Sequence, residues 1–336
     1  MTDFYRNKTV LVTGVAGFLG AHLARALLAA GADVIGLDRV TDSPCLRVHG
    51  LTGAVPILDA DITAGPELLW HFIGGNLQPL PSVVFHLAGA SHIAWCQEHP
   101  TEAMQANVVG TLNVLEACRA LRDRGAPLDA VVVASSNHIY AGGTRGRGVP
   151  YIEADQIGAV DVYGMTKGAA DMLARTWAES FGLPVVALRH LNAYGGADPH
   201  ASHIVPATIL SLLDGKAPVI RSDGNPVKGY LYIDDLIRAY LHAGQIAATR
   251  PGAYNIGGVS MALRVAALVQ RIIGVSGRDA EPDIRGEDLS QKGYIEQLDD
   301  RVFRATGWRD ETTLTEGLRA TWNWYVAHGG MAWLSA

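Results

Sequence analysis

A phenol and an ammonium group stand four residues apart in the sequence, at Tyr163 and Lys167. On a helix this spacing places two side chains on one face. A neighbouring cation lowers the pKa of a phenol, which suits Tyr163 to exchange a proton with a substrate hydroxyl near neutral pH. Taken alone, the spacing is more often that of an ordinary surface pair, so its interpretation depends on the residues nearby.

A short polar segment supplies further reactive groups. Ser136, Asn137 and His138 follow the β-branched run Ala130 to Ala134, and ligands of open α/β sheets bind beyond the carboxyl ends of strands. We expect the Ser136 hydroxyl to hold a substrate oxygen while Tyr163 moves its proton, with Asn137 also in contact with the substrate. His138, which titrates near neutral pH, is interpreted either as a further acid/base or as a structural, pocket-lining residue.

A glycine-rich turn follows the first apolar run of the chain. Gly14, Gly17 and Gly20 are spaced Gly-x-x-Gly-x-x-Gly, and a helical pattern opens at Phe18 and Leu19. Glycine lets the backbone turn tightly and approach a pyrophosphate, while the free amides of a helix N-terminus attract its negative charge. The turn is therefore interpreted as part of a dinucleotide site, with a merely flexible turn as the alternative.

Residues downstream of the turn indicate which dinucleotide is bound. Asp38 ends the second strand-like run, where a carboxylate accepts hydrogen bonds from both ribose hydroxyls and repels a 2′-phosphate. NAD is therefore favoured over NADP, although Arg39 could instead pair with a phosphate. Asp61 and Ile62 suit the edge and the face of the adenine, with a solvated turn as the alternative for Asp61. Such a site would allow hydride exchange with a nicotinamide ring.

The elements that must position these groups alternate along the chain. Short β-branched runs such as Thr9 to Thr13 and Ser82 to Leu87 are followed by segments of helical period such as Leu19 to Ala30 and Thr101 to Leu121. This alternation predicts an α/β fold of the Rossmann type, with a doubly wound parallel sheet flanked by helices.

Two lobes are expected from the change in composition along the chain. Residues 1–190, together with 229–257, are assigned to the NAD-binding domain. Beyond Asn192 the chain is irregular and rich in Pro, Gly and His, so residues 191–228 and 258–330 are assigned to a smaller C-terminal lobe that binds the substrate.

The composition argues against several classes of partner and site. The 336 residues carry a formal net charge of −6 with no Lys/Arg-rich run, so no nucleic-acid partner is expected. No apolar stretch approaches the roughly 20 residues that span a bilayer, and no export signal precedes the first strand, so we expect a cytoplasmic protein away from membranes. The three scattered cysteines predict neither disulfides nor a metal site.

The segments above, with several others, resemble the extended short-chain dehydrogenase/reductase family, in its branch of NAD-dependent nucleotide-sugar epimerases and dehydratases. The resemblance runs almost from end to end. The matching segments are Gly14 to Gly20, Asp38, Asp61-Ile62, His86 to Gly89, Asn107 to Thr111, Ser135-Ser136, Tyr163 with Lys167, and Leu188 to Gly195.

The resemblance implies roles for these residues and an assembly. Ser136, Tyr163 and Lys167 would form the catalytic triad, with Lys167 also binding the nicotinamide ribose. Further along the chain, the cofactor would also contact Leu87, Ala88, Gly89 and Asn107. Asn107 would in addition support the active-site helix. The helices in Thr101 to Leu121 and Gly164 to Phe181 would form a homodimer contact, although burial against the sheet explains much of their apolar pattern.

The resemblance also implies a nucleotide-diphosphate sugar in the smaller lobe. Asn192 would contact its phosphate region, Lys228 and Arg285 its diphosphate, and Asp288 its ribose. The chain departs from the family, which usually has Arg-Asp in place of Lys228-Gly229 and Arg-Pro-Gly-Asp in place of residues 285–288, and simple solvation explains Lys228 equally well. His92 is expected either to line the sugar pocket or to fill loop space.

The residues after Ser136 favour epimerisation. Dehydratases of this branch usually carry an acidic residue directly after the triad hydroxyl, whereas this chain has Asn137 and His138. We therefore expect a hydride to leave the sugar, a keto intermediate to reorient, and the hydride to return to the opposite face. The alternatives are a nucleotide-sugar dehydratase, a sugar or uronate dehydrogenase that releases NADH, and a non-catalytic NAD-binding regulator, which the intact Ser-Tyr-Lys set disfavours.

Overall fold

Seven strands form the main sheet of the structure, a computed structural model that describes residues 2–66, 79–140, 149–257, 262–287 and 295–335. The strands are β1 (Thr9–Thr13), β2 (Asp33–Asp38), β3 (Ile57–Asp59), β4 (Val83–His86), β5 (Ala130–Ala134), β6 (Val185–His190) and β10 (Gly252–Ile256), in the spatial order β10-β6-β5-β4-β1-β2-β3. Pairing from β6 across to β3 is parallel. The central strands are apolar and buried, as in parallel sheets covered on both faces. The predicted parallel sheet of the Rossmann type is confirmed.

The strand order reverses at β1. From β1 the chain continues to β2 and β3 on one side, and it then crosses to β4 on the other side. Ligands of open α/β sheets bind beyond the carboxyl ends of the strands at such a reversal. The glycine-rich turn directly follows β1, and Leu87 directly follows β4, so both lie at this edge.

Six described helices accompany these strands. They are α1 (Phe18–Ala29), α2 (Pro44–Val48), α3 (Ile93–Glu98), α4 (Pro100–Met104), α5 (Gly110–Asp123) and α6 (Val162–Phe181). Apolar residues of α5 and α6, such as Val114 and Ala174, share one core cluster with Val131 and Val133 of β5. α6 starts after the N-cap Asp161 and ends at Gly182, whose φ of 63° is the left-handed conformation that glycine adopts readily.

The predicted helical segment from Thr101 to Leu121 contains a π-helical turn. Residues Gln105–Val109 form this turn between α4 and α5. The periodicity of apolar residues does not indicate this turn, because a π turn is a single local insertion within an otherwise α-helical segment. Here Asn107 lies in the turn and forms its hydrogen bonds outside the helix.

The chain divides into two compact units. The first contains the described residues of 1–142, 153–189 and 237–255, and the second those of 143–152, 190–236 and 256–336. After the short segment 143–152, the chain next leaves the first unit between Arg189 and His190. The return to the first unit falls at Ile237, later than residue 229, because β9 (Val227–Tyr232) pairs with strands of the second unit.

The second unit has small sheets of its own. β9 lies between β7 (Asn192–Tyr194) and β11 (Ala262–Arg264), while β8 (Val219–Ile220) pairs with β12 (Asp283–Ile284). The remaining described α-helices are α7 (Ile204–Leu213), α8 (Ile233–Ile246), α9 (Val265–Ser276), α10 (Arg301–Arg304) and α11 (Leu314–Ala327), of which α8 belongs to the first unit from Ile237 onward. α7, α9 and α11 enclose a second core cluster. In the part of the chain described, no helix has the length and apolar character needed to cross a membrane.

Candidate active site

The glycine-rich turn lies against the end of β4. Gly14 has a φ of 74°, and a Cβ there would lie 2.6 Å from the backbone nitrogen of Ala88. A Cβ at Gly20 would overlap the carbonyl oxygen of Gly14. Both positions therefore require glycine, and α1 starts at Phe18 with Gly17 as its N-cap. A close-packed turn that leads into a helix N-terminus fits a bound pyrophosphate.

Asp38 ties the end of β2 to this turn. Its carboxylate accepts hydrogen bonds from the backbone amides of Ala16 (3.0 Å) and Val40 (3.2 Å). The neighbouring Arg39 is exposed, and its Nη1 lies 3.6 Å from Oδ2 of Asp61. The carboxylate is thus held at the carboxyl edge of the sheet, where it could also accept hydrogen bonds from a ribose.

Asp61 and Ile62 have different surroundings. Asp61 caps a short 3-10 turn by accepting a hydrogen bond from the Thr63 amide at 2.8 Å. The Ile62 side chain is buried in the core cluster of the sheet, and a Cβ at Gly110 would lie 2.5 Å from its Cδ1. Ile62 therefore packs mainly against α5.

His86 connects the ends of β1 and β4 to the helix that carries Asn107. Its Nδ1 lies 2.8 Å from Thr13 Oγ1, and its Nε2 lies 3.0 Å from Thr111 Oγ1. Thr111 donates to the carbonyl of Asn107, and Thr13 accepts from the Ala88 amide. Because Thr111 uses its proton for Asn107, it accepts from His86, so Nε2 of the ring carries a proton. Burial, aided by the charge of Lys167, lowers the pKa of His86 to about 3, which keeps the ring neutral.

Asn107 joins three segments. Its side chain exchanges two hydrogen bonds with the backbone of Ala90, at 2.8 and 2.9 Å, and donates to Thr166 Oγ1 at 2.8 Å. Thr166 lies on α6 and donates to the carbonyl of Tyr163. A Cβ at Gly89 would lie 2.5 Å from Asn107 Oδ1, so glycine makes room for this amide. The π-helical turn, the end of β4 and the first turn of α6 are thus held together.

Ser136 and Tyr163 meet at the end of β5. The Ser136 hydroxyl lies close enough to the Tyr163 phenol to lower its pKa, and it accepts a hydrogen bond from the His138 amide at 3.2 Å. Asn137 is buried beside them, with Oδ1 3.5 Å from Ser136 Oγ. The structure thus brings the serine side chain and the phenol together at the end of this strand.

Lys167 follows one turn later on α6 and donates a hydrogen bond to the carbonyl of Ala134. Burial lowers the pKa of this ammonium to about 8, although Asp171 and Cys96 oppose the shift. Burial also raises the pKa of Tyr163 to about 12, with the hydrogen bond from Ser136 opposing the rise. In the protein by itself, burial therefore has a larger effect on the phenol than the lysine has.

His138 is paired with a carboxylate that the sequence analysis did not single out. Its Nδ1 lies 3.5 Å from Oδ2 of Asp161, and its ring packs edge to face against Tyr163 with centroids 5.5 Å apart. Asp161 is the N-cap of α6 and accepts a hydrogen bond from Gly164 at 2.7 Å. Burial would raise the pKa of Asp161, but the contact with His138 and the hydrogen bond from the Gly164 amide lower it overall. An aspartate just before a helical pattern is an N-cap signal, so Asp161 was identifiable as a cap.

A second missed feature is the ion pair between Asp171 and Arg189, which is buried behind the same residues. Asp171 lies on α6 and Arg189 on β6. Charged residues are rarely buried without a partner, so an arginine within the apolar run of β6 was a signal that such a partner exists. The sequence could not indicate which residue it was.

The remaining candidates are distributed over both units. In the first unit, His92 caps α3 and is exposed. In the second unit, Asn192 donates to the Gly229 carbonyl (3.0 Å) and to Glu296 Oε2 (2.7 Å), which places it beside the strand that carries Lys228. Arg285 follows β12, and its guanidinium pairs with Asp283 at 3.1 Å. Asp288 lies outside the described residues.

Comparisons with known proteins agree with this architecture. A model of the NAD dependent epimerase/dehydratase family matches residues 10–257. A UDP-glucose 4-epimerase of Mycolicibacterium smegmatis is 29% identical, over 93% of this chain and 96% of that protein. The crystal structure of a UDP-glucose 4-epimerase of Thermotoga maritima with UDP-glucose has a TM-score of 0.81 and 25% identity, over 95% of this chain and 99% of that one.

A longer relative carries several activities in its name. It is the trifunctional UDP-glucose 4,6-dehydratase/UDP-4-keto-6-deoxy-D-glucose 3,5-epimerase/UDP-4-keto-L-rhamnose-reductase of Arabidopsis thaliana, which is 28% identical over 96% of this chain. The match covers 48% of that protein, so the chain spans about half the length of this relative.

Proposed function

The chain belongs to the NAD-dependent epimerase/dehydratase family, and we propose that it is an NAD-dependent nucleotide-sugar epimerase. The observation that carries this proposal is the closeness of the Ser136 hydroxyl to the Tyr163 phenol, whose pKa it lowers, at the carboxyl end of β5. The residue directly after Ser136 is Asn137, where related dehydratases usually have an acidic residue. The site therefore has the groups for oxidising and reducing a sugar hydroxyl.

NAD is proposed to occupy the edge of the sheet formed by the ends of β1, β2 and β4. Gly14, Gly17 and Gly20 would face the pyrophosphate, with Phe18 and Leu19 opening the helix above it, and Asp38 would accept hydrogen bonds from the adenosine ribose. The residues proposed to complete the cofactor site are Arg39, Asp61, Ile62, Leu87, Ala88, Gly89, Asn107 and Lys167. When bound, NAD supplies reversible hydride acceptance from a sugar carbon.

Tyr163 and Ser136 are proposed to move and hold the proton of that sugar hydroxyl. With a pKa raised to about 12 by burial, the phenol is protonated at neutral pH and is ready to act as an acid. Acting as a base requires stabilising the phenolate, which positive charge nearby provides. Lys167, with a pKa of about 8, keeps most of its charge at pH 7. The Ser136 hydroxyl donates to the developing oxyanion, so proton transfer occurs from a fixed geometry.

The second unit is proposed to bind the nucleotide diphosphate. Asn192, Lys228 and Arg285 supply amide and cationic groups for phosphate oxygens, and Asp288 is proposed to contact a ribose. This proposal is supported by the family resemblance. It is also supported by the hydrogen bond of Asn192 to Gly229, which follows Lys228 on β9. His92 and Asn137, in the first unit, are proposed to contact the sugar.

A dehydratase is the second candidate function, and the contact between His138 and Asp161 favours it. The 3.5 Å contact provides an imidazole that can take a proton from carbon while the carboxylate stabilises the imidazolium that forms. Elimination of water from a keto-sugar requires such a second base. Epimerisation by hydride transfer alone does not.

The experiment that separates these functions is incubation with UDP-, GDP-, dTDP- and CDP-sugars in deuterium oxide, followed by mass spectrometry and proton NMR. An epimerase gives a product of equal mass with an inverted ring coupling and no deuterium on carbon. Loss of water with deuterium uptake that disappears in His138→Gln identifies the dehydratase. Net NADH absorbance at 340 nm identifies a dehydrogenase. Absence of turnover on every sugar, with Tyr163→Phe behaving like the wild type, contradicts all three and leaves a non-catalytic regulator.

We further propose that the protein is a cytoplasmic homodimer. Its three cysteines are buried and are not joined by disulfides, which suits a reducing compartment. The helices proposed for the dimer contact, α5 and α6, carry exposed apolar side chains such as Met165 and Met172.

A further inference from the structure

A buried ion pair is hydrogen-bonded to Ser135, the neighbour of the proposed catalytic Ser136. Asp171 is 0% exposed and Arg189 is 1% exposed. The guanidinium binds the carboxylate through two hydrogen bonds, from Nη2 at 2.6 Å and from Nε at 2.8 Å. This bidentate geometry is the strongest that the two groups can form.

The ion pair is connected to the loop that carries Ser136. The neighbouring Ser135 donates a hydrogen bond from Oγ to Asp171 Oδ2 at 2.8 Å. Arg189 donates through Nη1 to the Tyr140 hydroxyl at 2.5 Å, at the other end of the 3-10 turn Asn137–Tyr140. The pair therefore holds both ends of the segment that contains the Ser136 hydroxyl and His138.

Further hydrogen bonds fix Arg189 and its partner Tyr140. The Nη1 atom of Arg189 also donates to the carbonyl of Glu153 at 3.0 Å. The Tyr140 hydroxyl donates a hydrogen bond to Asn255 Oδ1 at 3.0 Å. Every one of these groups belongs to the first unit. The guanidinium is thus held by contacts on α6, the 3-10 turn and a backbone carbonyl.

The ion pair also affects the charge of Lys167. Asp171 lies one helical turn after Lys167, and its negative charge opposes the loss of the lysine proton that burial favours. The other titratable groups that face Lys167 are Cys96 on α3, which also favours the charged lysine, and the neutral His86 on β4. Asp171 is therefore the acidic residue on which the charge of this buried ammonium depends.

The groups that face Asp171 are guanidinium and hydroxyl groups. Besides Arg189 and Ser135, they are Arg175 on the same helix, with Nε 3.3 Å from Oδ1, and the Tyr140 hydroxyl. Replacing a buried ion pair by apolar residues of similar volume often costs no stability. The presence of this pair beneath the site is therefore better explained by placement of the neighbouring groups than by stability alone.

We propose that Asp171 and Arg189 form a positioning pair for the epimerase site, an inference that rests on the proposed function. Asp171 holds Ser135, and through the backbone Ser136, and provides the negative charge that keeps Lys167 protonated. Arg189 binds that carboxylate through two hydrogen bonds and fixes the far end of the serine loop through Tyr140.

The test is a direct titration of Lys167 by NMR in the free protein, which needs no sugar substrate. The chain has five lysines, so protein labelled with [ε-13C]lysine gives few signals, and Lys167→Met identifies the one of interest. We expect the wild-type Lys167 signal to titrate at about 8, well below the value of about 10.4 for exposed lysines. In Asp171→Asn we expect this midpoint to fall by about 1 pH unit. Asp171→Glu keeps the charge and should titrate close to the wild type.

Two further variants separate positioning from simple stability. Glu179→Gln removes an exposed carboxylate from the same helix and should leave the Lys167 midpoint unchanged. Asp171→Asn leaves a buried guanidinium without its carboxylate and is at risk of misfolding, so the double variant Asp171→Asn with Arg189→Met removes both charges. If the pair positions and charges the site, the double variant folds and still titrates Lys167 below the wild type. A midpoint equal to the wild type in Asp171→Asn, or in the folded double variant, overturns the proposal.

Activity supplies an independent readout once a sugar has been identified. We expect kcat of Asp171→Asn to fall at least about 10-fold with a smaller change in KM. The decline of its kcat at alkaline pH should also shift to lower pH, together with the NMR midpoint of Lys167. An unshifted limb contradicts the proposal. If no nucleotide sugar is turned over, the proposed function fails, while the NMR titration still decides whether Asp171 sets the charge of Lys167.

Discussion

Lys167 titrates within the pH range in which such an enzyme works. Burial lowers its pKa to about 8, so the ammonium is charged below this pH and becomes neutral above it. If the charge stabilises the Tyr163 phenolate, kcat should decline about 10-fold per pH unit well above pH 8. The measurement is kcat from pH 6 to 10 on the identified sugar.

Lys167→Arg is the informative companion to this profile. A guanidinium stays protonated throughout the range, so the alkaline decline should move upward or disappear, even if the longer side chain reduces the maximum. An alkaline decline that stays near pH 8 in Lys167→Arg would assign it to another group.

Asp38 is expected to determine which dinucleotide is preferred. Asp38→Asn keeps an oxygen that can accept from the Ala16 amide but removes the charge that repels a 2′-phosphate. We expect weaker NAD binding and stronger NADP binding, so that the ratio of the two Kd values changes about 10-fold or more. Isothermal titration calorimetry with both cofactors measures this ratio. Asp42→Asn, an exposed neighbour paired with Arg47, is the control, and an equal loss of both cofactors would contradict the assignment.

At the residue scale, the sequence was most informative where chemistry follows local spacing. Tyr163 and Lys167 could be placed on one helix face, and Ser136 at a strand end, because both arguments need only local periodicity. The partners of these residues could not be predicted. Ser135 and Asp171 are 36 residues apart, and Asp171 and Arg189 are 18 apart, so their contacts depend on how α6 lies against the sheet.

At the element scale, α6 depends on a cap that is also part of the site. Asp161 accepts the Gly164 amide and contacts His138. Asp161→Ala should lower the free energy of unfolding by about 1 kcal/mol, because it leaves that amide without its acceptor. Asp161→Asn keeps the cap but loses the charge beside His138. Chemical denaturation of the two variants measures the difference.

A double-mutant cycle isolates the contribution of the charge. Asp161→Asn and His138→Gln, made singly and together, should show a coupling in kcat but little coupling in stability if the pair serves the reaction. Equal coupling in both quantities would instead indicate a structural contact. Asp214→Asn, an exposed residue paired only with Lys216 among the described ion pairs, provides the matched control for removal of a surface carboxylate.

The sequence predicted the elements more completely than their irregularities. Alternation of β-branched and helical runs was sufficient to predict the parallel sheet. The helix α6 begins after Asp161 and ends at Gly182, two residue types that are common at helix ends. The π-helical turn at Gln105–Val109 was not predictable, since nothing in the local period distinguishes it. It becomes understandable only when Asn107 is seen to bond with Ala90 and Thr166.

At the scale of the whole molecule, the proposed homodimer depends on an apolar face of α6. Met165 and Met172 are seven residues apart, which is two helical turns, and they remain 44% and 50% exposed in the isolated chain. Methionine is an adaptable side chain for such contacts, and removing its surface from water stabilises an interface by roughly 25 cal/mol per Å². In a dimer with two-fold symmetry both protomers contribute the same face, so the interface would contain two copies of each methionine.

Light scattering during size-exclusion chromatography measures the mass directly. The chain has a mass of 35.7 kDa, and we expect the wild type to elute at twice this mass. Met172→Glu places a charge where the proposed interface excludes water, so it should shift the equilibrium toward the monomer. Val302→Glu changes a similarly exposed apolar residue on α10, in the second unit, and should leave the dimer intact. A wild type that remains a monomer at micromolar concentration, or a dimer that both variants leave unchanged, would exclude this face of α6 as the contact.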